Sequence, residues 1–152
     1  MLSNRGKYAT RALLELALEE GNRPVSIQEI ASRQNIPLKF LEQILLALKH
    51  AGFVESRKGP GGGYMLAKPA SQVKLGAVVR AIDGPLALVS CVSVTQFGEC
   101  GCPCPDACGL RDAWQEARDA LSGVLDGTSF ADIRERHLRL DTSQAFVHDF
   151  SI

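Results

Sequence analysis

Apolar positions in the first third of the chain recur at helical spacing. Tyr8, Ala12 and Leu16 stand four apart, with Ala9, Leu13 and Ala17 filling the adjacent line, which predicts a helix over about 4–20. Gly21-Asn22 stops it. Ser26 followed three residues later by Glu29 is a capping-box signature, and a short helix follows to about residue 34. The stretch "QNIP" reads as a turn, and Pro37 suits the opening of the next helix. Over 38–50, Phe40, Leu41, Ile44, Leu45 and Leu48 are expected on a broad inward face. Lys39, Gln43, Leu46 and His50 are expected opposite, with Glu42 beside them.

The period then shortens. Phe53-Val54-Glu55 and Tyr64-Met65-Leu66 read as two short strands around the turn Gly59-Pro60-Gly61-Gly62-Gly63, with Arg57 and Lys58 at its tip. Three helices followed by a β-hairpin is the order of a winged helix-turn-helix. A further helix is expected over 73–82, ended by Asp83-Gly84-Pro85, and the apolar run after it reads as extended or irregular. A long helix is expected over 110–126, ended by Gly127. Leu110, Trp114, Ala117, Leu121 and Val124 are spaced alternately four and three apart, a seam suited to pairing with a second copy. The same stripe would also serve to cover the domain's own core. Ser129 with Asp132 predicts one more short helix to about residue 137, and the polar tail from Asp141 has no clear period and is expected to be partly disordered.

The expected fold is therefore mainly α with a small β-hairpin wing. Residues 1–70 form the winged helix-turn-helix, 71–90 a connecting helix and linker, and 91–109 a cysteine-rich loop. Residues 110–138 form the dimerisation helix with a short following helix, and 139–152 the tail.

Charge adds direction to this layout. The chain of 152 residues has zero net charge, but residues 1–70 hold ten Lys/Arg against six Asp/Glu, and residues 71–152 hold seven against eleven. A basic front half suits an anionic partner. Lys39, Glu42 and Gln43 stand where a recognition helix meets base edges: Gln can pair with adenine, Glu can accept from cytosine, and Lys can take guanine or phosphate. Arg57 and Lys58 suit phosphate or minor groove, and Arg5, Lys7 and Arg11 suit the backbone. Each of these is equally the kind of residue that solvates a helix face. No P-loop, nucleophile elbow or metalloprotease histidine pair is present, so no enzymatic activity is expected. No apolar run approaches a membrane span, and Arg11, Glu15, Glu19 and Glu20 interrupt any signal-peptide core, so a reducing cytoplasm is expected.

The candidate chemistry lies in "ECGCPCPDACG". It carries Cys100, Cys102, Cys104 and Cys108, with Cys91 just upstream. Five is an odd number, and a reducing compartment disfavours structural disulfides. Four readings follow: an iron–sulfur site, direct thiol redox sensing, a structural zinc, or ordinary small residues. The C-x-C-x-C spacing is tighter than usual zinc knuckles, and soft thiolates suit iron. His50, His137 and His148 are given no ligand role, and Trp114 is read as a packing residue.

"GKYATRALLELA", "LEQILLALKHAGFVESRKGPGGGYMLAKPASQVKLGAVVRAIDGPLAL" and the cysteines after them resemble the bacterial regulators typified by the iron–sulfur cluster regulator. The nitric-oxide-sensing and cysteine-metabolism repressors are relatives within that family. The resemblance covers about residues 1–138 and implies a homodimeric winged-helix transcription factor on palindromic double-stranded DNA. It matches Glu42 to a recognition-helix glutamate followed by Gln43, and Gly59 through Tyr64 (Gly59, Pro60, Gly61, Gly62, Gly63, Tyr64) to a glycine-rich wing. It also implies three cluster cysteines between wing and long helix: Cys91 first, Cys108 last and Cys102 between, with Cys100 as the alternative middle ligand. A [2Fe–2S] centre is preferred slightly over [4Fe–4S].

Three departures leave the fourth ligand open. The interval from Cys91 to Cys102 is longer than in the best-known cluster binders. Arg111 stands where the iron–sulfur cluster regulator has a histidine, and Lys7 where the nitric-oxide sensor has an acidic residue. The rival from another class is an iron–sulfur electron-transfer or scaffold protein that keeps the winged fold for protein contacts.

Overall fold

Helix α1 (Asn4–Leu18) is the element on which the others are built in the computed structural model, which describes residues 2–21 and 23–149, with side chains through residue 142. Helices α2 (Ile27–Gln34), α3 (Leu38–His50), α4 (Leu75–Asp83) and α6 (Phe130–Asp149) all touch it, as does strand β2 (Gly63–Leu66). Its inward line is Ala9, Ala12, Leu13, Leu16 and Ala17, all buried. The alanines keep the helix slim, so neighbours approach from several sides and share one close-packed core. The Ser3 hydroxyl caps α1 by accepting from the Gly6 N–H at 2.9 Å. Asp83, at the end of α4, accepts from the Ser3 N–H at 2.7 Å and its hydroxyl at 2.5 Å.

The helix-turn-helix follows local chemistry. The Ser26–Glu29 capping box starts α2. Asn35 ends it in the left-handed region at φ 49°, a conformation Asn tolerates better than most residues. On the buried side, Glu15 of α1 takes Arg33 at 2.7 Å and the Gln34 side-chain amide at 2.9 Å. That buried carboxylate is fully partnered, and it fixes α2 to α1.

The wing pairs β1 (Val54–Arg57) with β2, antiparallel, with Val54 opposite Leu66 and Arg57 opposite Gly63. A third segment joins β2 near the turn: Val25 and Tyr64 exchange N–H···O bonds at 2.8 Å in each direction. That contact explains Gly63, where a Cβ would lie 2.3 Å from the Val25 carbonyl oxygen. Gly62 is equally constrained, since a Cβ would lie 2.3 Å from the Arg57 carbonyl oxygen.

Helix α5 (Gly109–Gly127) is different in kind. It has no buried residue and rests on α4 and the 3-10 turn Ser90–Val92. Arg80 of α4 clasps Asp126 through two bonds, 2.6 and 2.8 Å. After α5 the chain returns to the core. Leu75 N–H donates to the Thr128 carbonyl and Phe130 N–H to the Val73 carbonyl, both at 2.9 Å, and the Phe130 ring is fully buried. The predicted capping box opens α6: Asp132 accepts from the Ser129 N–H at 2.7 Å, and Ser129 Oγ accepts from the Asp132 N–H at 3.2 Å.

Several expectations are corrected. Phe40 is not on the inward face of α3: it is 57% exposed, while Leu41, Ile44, Leu45 and Leu48 are buried. α1 ends at Leu18, two residues early. α6 does not stop near residue 137 but continues to Asp149, so the tail from Asp141 is helical that far. Residues 150–152 and the side chain of His148 lie outside the description.

Phe130 locks α6 to the winged core, so Phe130→Ala should lower unfolding stability by about 3–5 kcal/mol. Urea denaturation followed by circular dichroism measures this.

Candidate nucleic-acid interface and thiol site

The front of α3 presents Lys39, Glu42 and Gln43, all exposed. Among the described residues none of the three has a hydrogen-bond or ion-pair partner. They share the solvent face with Phe40 and Leu46, the latter 54% exposed. Arg57 and Lys58 are exposed at the wing tip, beside the turn formed by Gly59, Pro60 and Gly61. Lys49 donates to the Ser56 hydroxyl at 2.7 Å, which joins the end of α3 to the wing strand. The end of α3 and the wing are thus held as one unit.

Arg5 and Lys7 are exposed on the first turns of α1. Arg11 is not free as the sequence suggested. Its guanidinium donates to the Gln34 carbonyl oxygen and lies 5.9 Å from the centre of the Tyr8 ring. Arg33, by contrast, is consumed by Glu15, Glu19 and Glu29. Basic residues on the two helices therefore divide into structural and available ones, a division that depends on partners far apart in sequence.

The thiols gather beside α5. Cys91 is buried in the turn Ser90–Val92, which the Gly98 N–H closes by donating to the Ser90 carbonyl at 3.1 Å. Gly101 sits at φ 64°, and this left-handed residue turns the chain between Cys100 and Cys102. Cys108 is the residue from which α5 starts, with the Asp112 N–H donating to its carbonyl at 3.2 Å. Cys104 is exposed before the turn Pro105–Ala107.

Cys91, Cys100, Cys102 and Cys108 are close enough to act on one another. Hydrogen bonding from the Cys102 thiol, then from its backbone, pulls the Cys100 thiol below its ordinary value, and the Cys91 thiol adds to this. The Cys102 thiol is pushed up to about 11, chiefly by its bond to Cys100, then by desolvation and the charges of Cys100 and Cys108. Of the two, Cys100 is the thiol favoured to ionise first.

These are neighbours rather than a finished coordination shell: among the described residues, no three His, Cys, Asp or Glu side chains are arranged to hold a metal ion. The donor chemistry does suit iron, since Cys91, Cys100, Cys102 and Cys108 are soft thiols linked by pairwise contacts. Arg111 donates to the Pro105 carbonyl at 3.4 Å.

One residue that the sequence reading missed ties this loop to α5. Arg118 donates to the Val92 carbonyl at 2.5 Å, one residue past Cys91. Its spacing from the cysteines gives no hint of this. The other side of α5 is open: Leu110 is 71% exposed, Val124 67%, Leu121 43% and Trp114 39%, with Ala117 exposed between them. No described helix is long and apolar enough to cross a membrane.

Comparison with known proteins accords with this arrangement. The family Rrf2, described as an iron-dependent transcriptional regulator, matches residues 2–136. The HTH-type transcriptional regulator IscR of Serratia proteamaculans is 36% identical over 132 residues, 87% of this chain and 77% of that protein. IscR of Escherichia coli K12 is 35% identical over 149 residues, 97% and 89%. Among solved structures, CymR of B. subtilis, the global cysteine regulator, superposes with a TM-score of 0.75 at 31% identity, covering 90% of this chain and 97% of that one. IscR of T. potens gives 0.73 at 28% identity, covering 90% and 88%.

The unequal thiols give a direct test on reduced, metal-free protein. Iodoacetamide near neutral pH should modify Cys100 several-fold faster than Cys102, as read by peptide mass spectrometry. Faster modification of Cys102 would reverse the assignment.

Proposed function

The chain belongs to the Rrf2 family of transcriptional regulators, and from that premise we propose that it is a cytoplasmic homodimer whose affinity for a palindromic operator is set by an iron–sulfur cluster on the cysteine loop. Family membership makes it a DNA-binding regulator rather than an enzyme or an electron carrier. The observation that carries the sensing part is position. Four thiols that act on one another lie just before α5 and at its mouth, and α5 carries a largely exposed apolar stripe.

In this reading α5 pairs with the α5 of a second copy through Leu110, Trp114, Ala117, Leu121 and Val124. Lys39, Glu42 and Gln43 of each copy enter the major groove, and Arg57 and Lys58 meet the backbone or the minor groove. Arg5 and Lys7 add phosphate contacts, while Arg11 orders the interface from behind. Cys91, Cys102 and Cys108 are the core ligands, with Cys100 beside them as fourth ligand or substitute. When bound, the cluster supplies redox states and sensitivity to oxidants.

The protein's own part is mechanical. Ligating thiolates join the Cys91 turn to the mouth of α5, where free helix N–H groups favour their negative charge. Arg118 holds that turn to the middle of α5, and the Arg80–Asp126 clasp joins the far end of α5 to α4. A change at the thiols thereby reaches the element that sets the spacing of the two reading heads.

The contact between Cys100 and Cys102 favours a second reading, a cluster-free regulator switched by a disulfide. Anaerobic purification with iron and sulfide analysis and Mössbauer spectroscopy separates the two. The proposal expects iron and sulfide bound, a [2Fe–2S] or [4Fe–4S] signature, and specific, salt-sensitive operator binding that differs between holo- and apo-protein. Replacing Cys91, Cys102 or Cys108 with serine should abolish the centre, while Cys104→Ser should be mild. Iron-free protein after anaerobic reconstitution, with all five thiols reduced, would sink the cluster.

A further inference from the structure

Phe40 is an aromatic ring placed on a face that should be polar. It lies in the first turn of α3, 57% exposed, between Lys39 and the turn that carries Glu42 and Gln43. Leaving a Phe ring half in water forfeits burial worth about 1 kcal/mol or more. The ring is not loose. It packs against Tyr8 of α1, with ring centres 6.4 Å apart and planes tilted by 57°. Tyr8 is half-buried and lies under the Arg11 guanidinium, which is itself tied to the last carbonyl of α2. One chain of contacts therefore runs from the end of α2 through α1 to the solvent side of α3, and it holds the Phe40 ring forward.

We propose that Phe40 is a specificity-determining residue that reads the C5-methyl group of a thymine in the major groove. This rests on the DNA-binding reading above, with α3 as the recognition helix. A phenylalanine can neither donate nor accept a hydrogen bond, so base edges offer it one complementary feature, the thymine methyl. Lys39 precedes it and Gln43 lies one turn on, so polar contacts flank an apolar one on the same strip of helix. The Tyr8 support fixes the ring before DNA arrives, so little freedom is lost when the contact forms.

The test uses the full-length protein and a duplex selected with it from a randomised pool. Each thymine of that duplex is replaced in turn by deoxyuridine, which differs only by lacking the methyl group, and affinity is read by fluorescence anisotropy at fixed salt. One position in each half-site should weaken wild-type binding about three- to fivefold, the worth of one buried methyl. Phe40→Ala should bind more weakly and lose its sensitivity to uracil at that position alone. Phe40→Leu, which keeps the fold and an apolar tip, should retain part of it. A wild-type protein indifferent to every replacement, or an equal penalty in wild type and Phe40→Ala, overturns the assignment while leaving DNA binding intact. Failure to select any specific duplex overturns the DNA-binding reading and this inference together.

Discussion

The unburied apolar stripe of α5 is the constraint on which the rest of the structure depends. A helix of 19 residues that buries none of them gains little from its own chain. In proteins, tertiary packing of an amphipathic face normally supplies most of a helix's stability. Here packing comes from one side only, through α4 and the Cys91 turn, with Arg80–Asp126 and Arg118 as polar ties. On the proposed reading a second copy covers the other side, its own stripe being complementary by symmetry.

On the proposed reading that same helix is where sensing and DNA reading meet. Its N-terminus lies at the thiols, and its C-terminus returns through Thr128 and Phe130 into the winged core. A sensor built into a freely moving loop would have nothing to push against. Here the loop is braced to α5, α5 to α4, and α4 to α1 through Asp83. The reading heads and the thiol site are thus linked by a short series of named contacts.

Most of this was legible in the sequence because local chemistry decides it. Capping boxes, the α2–α3 turn, the glycine run of the wing and the helix bounds of α3 and α5 all follow from residues a few positions apart. The failures have a shared cause. Phe40 sits at the edge of the apolar arc of α3, where periodicity cannot tell in from out, and Tyr8 props it outward. Arg11 looked available because its acceptor, Gln34, lies on another helix. Arg118 and the Glu15–Arg33 pair are likewise invisible without the fold. α6 was cut short because its apolar period fades after Leu138, yet Arg134 donates to Glu20 at 2.6 Å and Phe130 anchors its start. At the cysteine loop, the resemblance singled out Cys91, Cys102 and Cys108, with Cys100 as the alternative, and pairwise contacts link these four thiols. Their unequal thiols depend on contacts among the cysteines, which spacing does not reveal.

The claim that α5 is a seam between two copies is tested most directly by sedimentation velocity on the wild-type protein and on Leu121→Glu, with circular dichroism to verify that both are folded. The account predicts a wild-type dimer across micromolar concentrations and a folded monomer for the variant. A monomeric wild type, or a variant that stays dimeric, would contradict it and turn the α5 stripe to some other use.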